Sequence, residues 1–320
     1  MGLISSIFRR KKRIQVSGGY THQVFLESGT GPKVIVKQYR RDRSDKSMSQ
    51  EAIFSQYSPF APRVISKDEG KGRLQTEFIP NAKMLTFDYL LNGNIAGDIG
   101  RALRVTHKRK KLFFKQLSSM QKAEAQRFNY VAQLRKIIKD IDDEQFVGRI
   151  RRDIAKFEVL NDARDFALIH GDLWLNNILL KGEIYFIDAE RPETKGSMSI
   201  GNKYIDVAFL ITQSMLKRSY FLNVNEGRKI ETKKLEKAIN DFVSNYFFGK
   251  NLLVQRRLLT AMAFCFIKRA VVWDNKKRKE KRELDEKQEK FREFDKEMAL
   301  VCLDVAKLDN VLNYFREYFV

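Results

Sequence analysis

Apolar positions recur along this chain with two periods, and the change from one to the other divides it near Pro80. Before that point the runs are short and strand-like. His22 to Glu27 forms one, Ser28 to Pro32 supplies a turn, and Val34-Ile35-Val36-Lys37 forms the next. Ser17-Gly18-Gly19-Tyr20-Thr21 precedes the first run. Ser44 to Tyr57 predicts a helix, with Ser47 placed to cap it and Gln50 three residues on. Phe60 to Ile65 and Arg73 to Ile79 are expected to supply the remaining strands.

After Pro80 the apolar period becomes that of a helix. Ile99 to His107 predicts one helix, with His107 a packed structural residue. Phe128, Val131, Leu134, Ile137, Ile138 and Ile141 make a stripe that belongs to a core. Met298, Val301, Cys302, Val305, Leu308, Leu312, Phe315 and Phe319 predict one final amphipathic helix, packed on this C-terminal part or on a partner. The expected organisation is a basic segment over 1–15, a β-rich lobe over 16–80 and a mainly helical lobe over 81–320. The pattern contains no internal repeat and no low-complexity linker.

Phe166 to Glu190 breaks the helical pattern. An apolar run, Phe166 to Ile169, stops at His170-Gly171-Asp172. A second, Ile178 to Leu180, turns at Lys181-Gly182 and returns as Ile184 to Ile187, which reads as a β-hairpin. Asp172 lies before its first strand, Asn177 at the start of that strand, and Asp188 just after the second. One hairpin mouth therefore gathers two carboxylates and an amide oxygen. Phosphoryl transfer needs such a set: a carboxylate to orient or deprotonate the attacking hydroxyl, and oxygen ligands for Mg²⁺ on nucleotide phosphates.

His170-Gly171-Asp172, Asn177 five residues after the Asp, and Ile187-Asp188 resemble the HGDxxxxN…ID pattern of the aminoglycoside phosphotransferase and choline kinase group, in the protein-kinase-like superfamily. The resemblance implies an α+β, bilobal protein-kinase-like fold. Its N-terminal lobe would be an antiparallel sheet with one helix, and its larger C-terminal lobe mainly helical. It implies ATP and Mg²⁺ as cofactors, Asp172 as catalytic base, and Asn177 and Asp188 as metal ligands. Lys37 would contact the nucleotide phosphates, with Gly18 and Gly19 covering them and Glu51 positioning the lysine. Phe78 and Ile79 fall where an adenine would meet the hinge. Tyr204-Ile205-Asp206-Val207-Ala208 resembles the helix start whose Asp buttresses the catalytic loop.

Four departures weigh against a peptide substrate. HGD stands in place of HRD, and Asp188-Ala189-Glu190 in place of DFG. Only 17 residues separate Asp188 from Asp206, too few for a long activation segment. Trp174 occupies the position of a lysine two residues after the base. It leaves two readings open, stacking on an acceptor sugar or packing under the loop. The acceptor is therefore expected to be a hydroxyl of a small molecule or of a membrane-linked sugar. Ile187-Asp188-Ala189-Glu190-Arg191 is similar to the LIDxxR of the lipopolysaccharide core kinases, which keeps a sugar kinase of that type as an alternative beside an atypical protein kinase.

Composition adds two constraints. Cys265 and Cys302 sit in apolar helical surroundings without metal-ligand spacing, as reduced core thiols of a cytoplasmic protein would. The net charge of +21 exceeds what a nucleotide alone requires and calls for an anionic partner. Leu3, Ile4, Ile7 and Phe8 would share one helical face ahead of the five cations Arg9 to Arg13, so residues 1–13 either lie on an anionic membrane or form a frayed basic tail. Gly2 and Ser6 also fit an N-myristoylation pattern. The basic run Lys276 to Arg282 lacks the interleaved aromatics of a base-stacking surface and reads as a solvated helix face. A non-catalytic nucleotide- or RNA-binding module is disfavoured by the joint presence of Lys37, Asp172, Asn177 and Asp188. No segment is expected to span a membrane or to act as a signal peptide.

Overall fold

The computed structural model describes residues 12–18, 22–28, 31–39, 44–117, 129–189, 200–248, 251–280 and 283–317. Residues 1–11, Gly19, Tyr20, Thr21, Phe128, Glu190, Arg191 and Phe319, on which parts of the sequence reading fall, lie outside them.

Five antiparallel strands form the N-terminal sheet in the order β1-β2-β3-β5-β4: β1 Lys12–Gly18, β2 His22–Ser28, β3 Val34–Tyr39, β4 Val64–Asp68 and β5 Arg73–Glu77. The sheet starts earlier than Val16. Lys12 and Arg13 pair with Ser28 and Glu27 instead of continuing a membrane-lying helix. The Arg13 guanidinium sits 3.6 Å above the Phe25 ring, and its Nε is 3.5 Å from Glu27. A charged outer strand of this kind also discourages edge-to-edge pairing. The expected strand at Phe60 to Ile65 is displaced to Val64–Asp68. Pro62 cannot donate to a ladder, and the Phe60 carbonyl is taken by Phe186 N–H at 2.5 Å, which ties this stretch to the hairpin over 178–186.

Helix α1, Ser44–Tyr57, packs Met48 against Leu74 and Tyr39 of the sheet. It also buries Gln50 and Glu51, which a helix that merely covers a sheet would not do. Lys83–Met84, β6, leads out of the sheet and pairs with the hairpin of β8, Ile178–Lys181, and β9, Glu183–Phe186. Phe166–Leu168, β7, pairs antiparallel with Ile200–Asn202, β10.

The rest of the described chain is mainly helical. α2 is Phe87–Asn92, α3 Ile95–Lys108, α4 Lys110–Gln116, α5 Tyr130–Ile137 and α6 Glu144–Arg152. α7 is Lys203–Phe209, α8 Lys217–Glu226, α9 Thr232–Phe247, α10 Leu252–Glu280, α11 Glu286–Asp304 and α12 Leu308–Glu317. One continuous core joins them, with α10 packed on both α7 and α11. α3 and α9 approach so closely at Gly100 that an added Cβ would lie 2.5 Å from the Phe242 carbonyl oxygen.

The single C-terminal helix expected from the apolar stripe is two helices, broken at Val305 to Lys307. No Gly or Pro marks the break. The Gln255 side chain accepts from Leu308 N–H at 3.1 Å, and Lys156 Nζ donates to the Leu303 carbonyl at 2.9 Å, so distant groups cap both ends. Cys265 and Cys302 are free, buried thiols, and burial pushes both up from the ordinary range. Among the described residues no helix is long and apolar enough to cross a membrane.

Candidate active site

The loop after β7 is shaped by backbone donors that converge on one carboxylate. Gly171 adopts φ +82°, a left-handed turn that suits a residue without Cβ. The turn aims His170 N–H and Gly171 N–H at Asp206, 2.7 and 2.8 Å from its two oxygens. Asp206 sits in the first turn of α7, whose start is capped by the Asn202 side chain accepting from Tyr204 N–H at 2.9 Å. His107 Nε2 donates to Asp206 at 3.0 Å, and the Tyr246 hydroxyl lies 2.5 Å from His107 Nδ1. Burial alone would raise the Asp206 carboxyl, but the His107 hydrogen bond and the nearby imidazoles hold it below the ordinary carboxylate range. His107 is thus a packed structural residue, and Asp206 holds the loop from below.

Asp172 follows on this loop, half-buried at the hairpin mouth. Trp174 Nε1–H donates to its Oδ1 at 2.7 Å, and the Asn177 amide donates to its backbone carbonyl at 2.8 Å and stands 3.4 Å from Oδ2. Burial raises the Asp172 carboxyl above its ordinary value, and His170, the Trp174 donor, Lys268 and Arg269 oppose that rise only in part. His170 in turn donates from Nε2 to the Ile187 carbonyl at 2.8 Å. Ile187 N–H donates to the Asn177 carbonyl at 2.9 Å, so both ends of the hairpin are locked together.

Asp188 completes the mouth in the left-handed region, φ +58°. Its carboxylate meets the Lys37 ammonium, which also binds Glu51 from α1; the Tyr39 hydroxyl donates to the second Glu51 oxygen. Lys37 is 4% and Glu51 5% exposed, so neither charge is offset by water. Burial pulls the Lys37 ammonium down, but Asp188 and Glu51 together outweigh it and raise the group above its ordinary value. The structure therefore joins Lys37, Glu51 and Asp188 in one ion cluster, and Asp172 and Asn177 in one hydrogen-bonded pair beside it. Gly18 ends β1 opposite Gln23, at the tip of the β1–β2 hairpin. Phe78 and Ile79 form the connection from β5 to β6, with Lys33 Nζ 6.0 Å from the Phe78 ring, and no described contact joins them to the ion cluster.

A cleft of about 590 Å³ opens against Asp172 and Asn177. Its far wall carries Gln213, Ser214 and Arg218, and its near wall Thr86, Phe87 and Trp174. Sequence reasoning missed this far wall, and it missed the Trp174 bond to Asp172. The Thr212-Gln213-Ser214 interruption of the apolar run Val207 to Leu216 was the available cue. Gln213 and Ser214 face the cleft because Leu210–Leu216 winds as a π-helix, an insertion frequent at functional sites and invisible to a 3.6 period.

Among the described residues no group of three or more His, Cys, Asp or Glu side chains is arranged to hold a metal. An Asp and an Asn oxygen nevertheless fit Mg²⁺, which keeps several waters and shares its sphere with substrate phosphates. The Asn177 amide nitrogen is turned to Asp172, which leaves its oxygen free to act as a ligand.

A sequence model of the phosphotransferase enzyme family matches residues 12–194, the span from β1 through the hairpin. This chain belongs to that family. The phosphotransferase finds no match among curated proteins, but it superposes on solved structures. A choline/ethanolamine kinase family protein from Mesorhizobium loti gives a TM-score of 0.63 at 14% identity, covering 99% of this chain and 96% of that one. A choline kinase from Cryptosporidium parvum gives 0.60 at 16%, covering 91% and 88%. The choline kinase LicA from Streptococcus pneumoniae, in complex with AMP, gives 0.53 at 15%, covering 92% and 93%. At such identities the likeness shows the fold: the phosphotransferase has an α+β, protein-kinase-like fold.

Proposed function

We propose that this phosphotransferase uses ATP and Mg²⁺ to phosphorylate a hydroxyl group, with Asp172 as the base. The observation that carries the reading is the junction at the hairpin mouth. The Asp172–Asn177 pair and the Lys37–Glu51–Asp188 cluster are bonded into one unit through Ile187 N–H and the Asn177 carbonyl, and Asp172 faces the cleft.

In this mechanism Lys37, held by Glu51, would bind the nucleotide phosphates, Gly18 and Gly19 would offer them backbone amides, and Phe78 and Ile79 would meet the adenine. Asn177 and Asp188 would hold Mg²⁺, which would supply positive charge to offset that of the phosphates. The acceptor hydroxyl lies in the cleft against Asp172 Oδ2 and gives up its proton there as its oxygen bonds to the γ-phosphorus and ADP leaves. The Trp174 donor occupies Oδ1 and fixes the carboxyl plane, so the rate derives mainly from positioning. Support for a nucleotide comes also from the AMP held by the pneumococcal choline kinase of like fold. The acceptor is a small molecule or a sugar carried at a membrane, and the charge of +21 supports the second.

The test is an ATP-consumption screen against sugars, amino alcohols and lipid fractions, with and without membranes. Asp172→Asn should abolish transfer to any acceptor found while ADP still binds. Near-normal turnover by that variant would remove Asp172 from the role, and label passing only to proteins would make this a protein kinase.

A further inference from the structure

The cleft in front of Asp172 has an unusual balance of charge. Among its described lining residues Asp172 is the one carboxylate and Arg218 the one cation. Arg218 is exposed, stands 5.1 Å from the Phe221 ring and makes no ion pair with a described carboxylate. A second guanidinium, Arg269, lies 5.7 Å over the Trp174 ring, and its buried Nε finds no partner among the described residues. Lys217, next to Arg218 in the chain, is neutralised by Asp295. A cationic acceptor would meet this field unfavourably. One face of Trp174 already carries a cation in Arg269, which makes the ring a poorer partner for an ammonium.

The same wall leaves hydrogen-bonding groups unused. Gln213 and Ser214 are 1% and 2% exposed, yet Gln213 Oε1 and Ser214 Oγ have no partner among the described residues. Both belong to the π-helical turn and line the cleft. A buried acceptor oxygen and a buried hydroxyl left open in this way suit a ligand rich in hydroxyls.

We propose that the acceptor is a polyhydroxylated molecule bearing an anionic phosphate or carboxylate, with its hydroxyls on Gln213 and Ser214 and its anion on Arg218. This deepens the kinase reading and rests on it. The anion is recognised by Arg218 whether the polyol phosphate is free or is the headgroup of a lipid.

The test uses the full chain saturated with ADP. Calorimetric titrations with myo-inositol, inositol 1-phosphate and choline separate neutral, anionic and cationic probes. Sedimentation with phosphatidylinositol/phosphatidylcholine vesicles, against phosphatidylcholine alone, asks whether a lipid-borne headgroup is taken. A gain of about tenfold or more for inositol 1-phosphate over myo-inositol is expected for one charge-assisted pair. Arg218→Gln should bring that ratio close to one, and a ratio within one variant cancels any loss of folded protein. Preference confined to the phosphatidylinositol vesicles, and lost in the same variant, assigns the lipid source; preference for the soluble phosphate assigns the free one. Choline binding more tightly than the phosphate, an equal ratio together with no preference for the phosphatidylinositol vesicles, binding by none of the probes or vesicles, or a preference that survives Arg218→Gln overturns the proposal. In those cases retained ADP binding leaves the kinase reading standing, whereas failure of ADP to bind strikes the kinase reading itself.

Discussion

Asp206 holds the loop that carries Asp172, and its removal should be felt both in stability and in turnover. The carboxylate is fully buried and accepts three hydrogen bonds, from His170 N–H, Gly171 N–H and His107 Nε2. In Asp206→Asn one oxygen persists, but the new NH₂ must face a backbone N–H, since each Asp206 oxygen already meets one. Losing that bond and stranding its donor costs about 1–3 kcal/mol. Asp206→Ala strands all three donors and should cost about 3–5 kcal/mol, as when a buried charged network is broken. Loosening His170 and Gly171 also moves Asp172, and a displacement near 1 Å is expected to lower turnover by about a hundredfold. Guanidinium chloride denaturation measures the first effect, and ATP-dependent transfer to an established acceptor the second. The acid dependence has a fixed sign. The folded-state pKa of Asp206 lies below its unfolded value, so its stabilising contribution is complete above the unfolded carboxylate pKa, about 3.9, and is lost as pH falls through the folded value. The gap in stability between the wild type and Asp206→Asn should therefore be flat at neutral pH and close in acid. A variant with the wild-type denaturation midpoint and wild-type turnover would show that the loop is held by something else.

Two further outcomes follow from single contacts. Trp174→Phe keeps an aromatic edge against Phe209 but removes the Nε1–H donor that stabilises ionised Asp172, so the acid limb of the pH–rate profile should move to higher pH; an unmoved limb would detach Trp174 from the base. Gly100→Ala pushes a Cβ into the Phe242 carbonyl at 2.5 Å and should destabilise the α3–α9 contact by about 1–3 kcal/mol, read from the denaturation midpoint; an unchanged midpoint would mean the helices can part without loss.

The parts of the site legible in the sequence were those written locally. The hairpin around Lys181-Gly182 declares itself by two apolar runs and a turn, and it delivers Asn177 and Asp188 to one end because strand geometry allows little else. Lys37 stood out for the same reason, as a cation closing a β-branched run. The neighbours of these residues were harder to see. Glu51 pairs with Lys37 across 14 positions, and nothing short-range fixes the rotation of α1 that points it inward. Lys268 and Arg269 lie about 80 residues beyond the hairpin, although the fold brings both within electrostatic reach of Asp172.

What the sequence determined by itself is therefore the α+β division, the helix at Ser44–Tyr57, the hairpin and the polar residues at its mouth. Each follows from hydrophobic period and turn chemistry, which act over a few residues. The tertiary structure decided the rest: the displacement of β4, the break at Val305, the π-helical turn that sets Gln213 and Ser214 in the cleft wall, and the three donors on Asp206. These depend on which distant group reaches an unpaired backbone or side-chain atom once the core has closed. A buried polar atom must find a partner wherever the packing supplies one, and no local pattern records where that is.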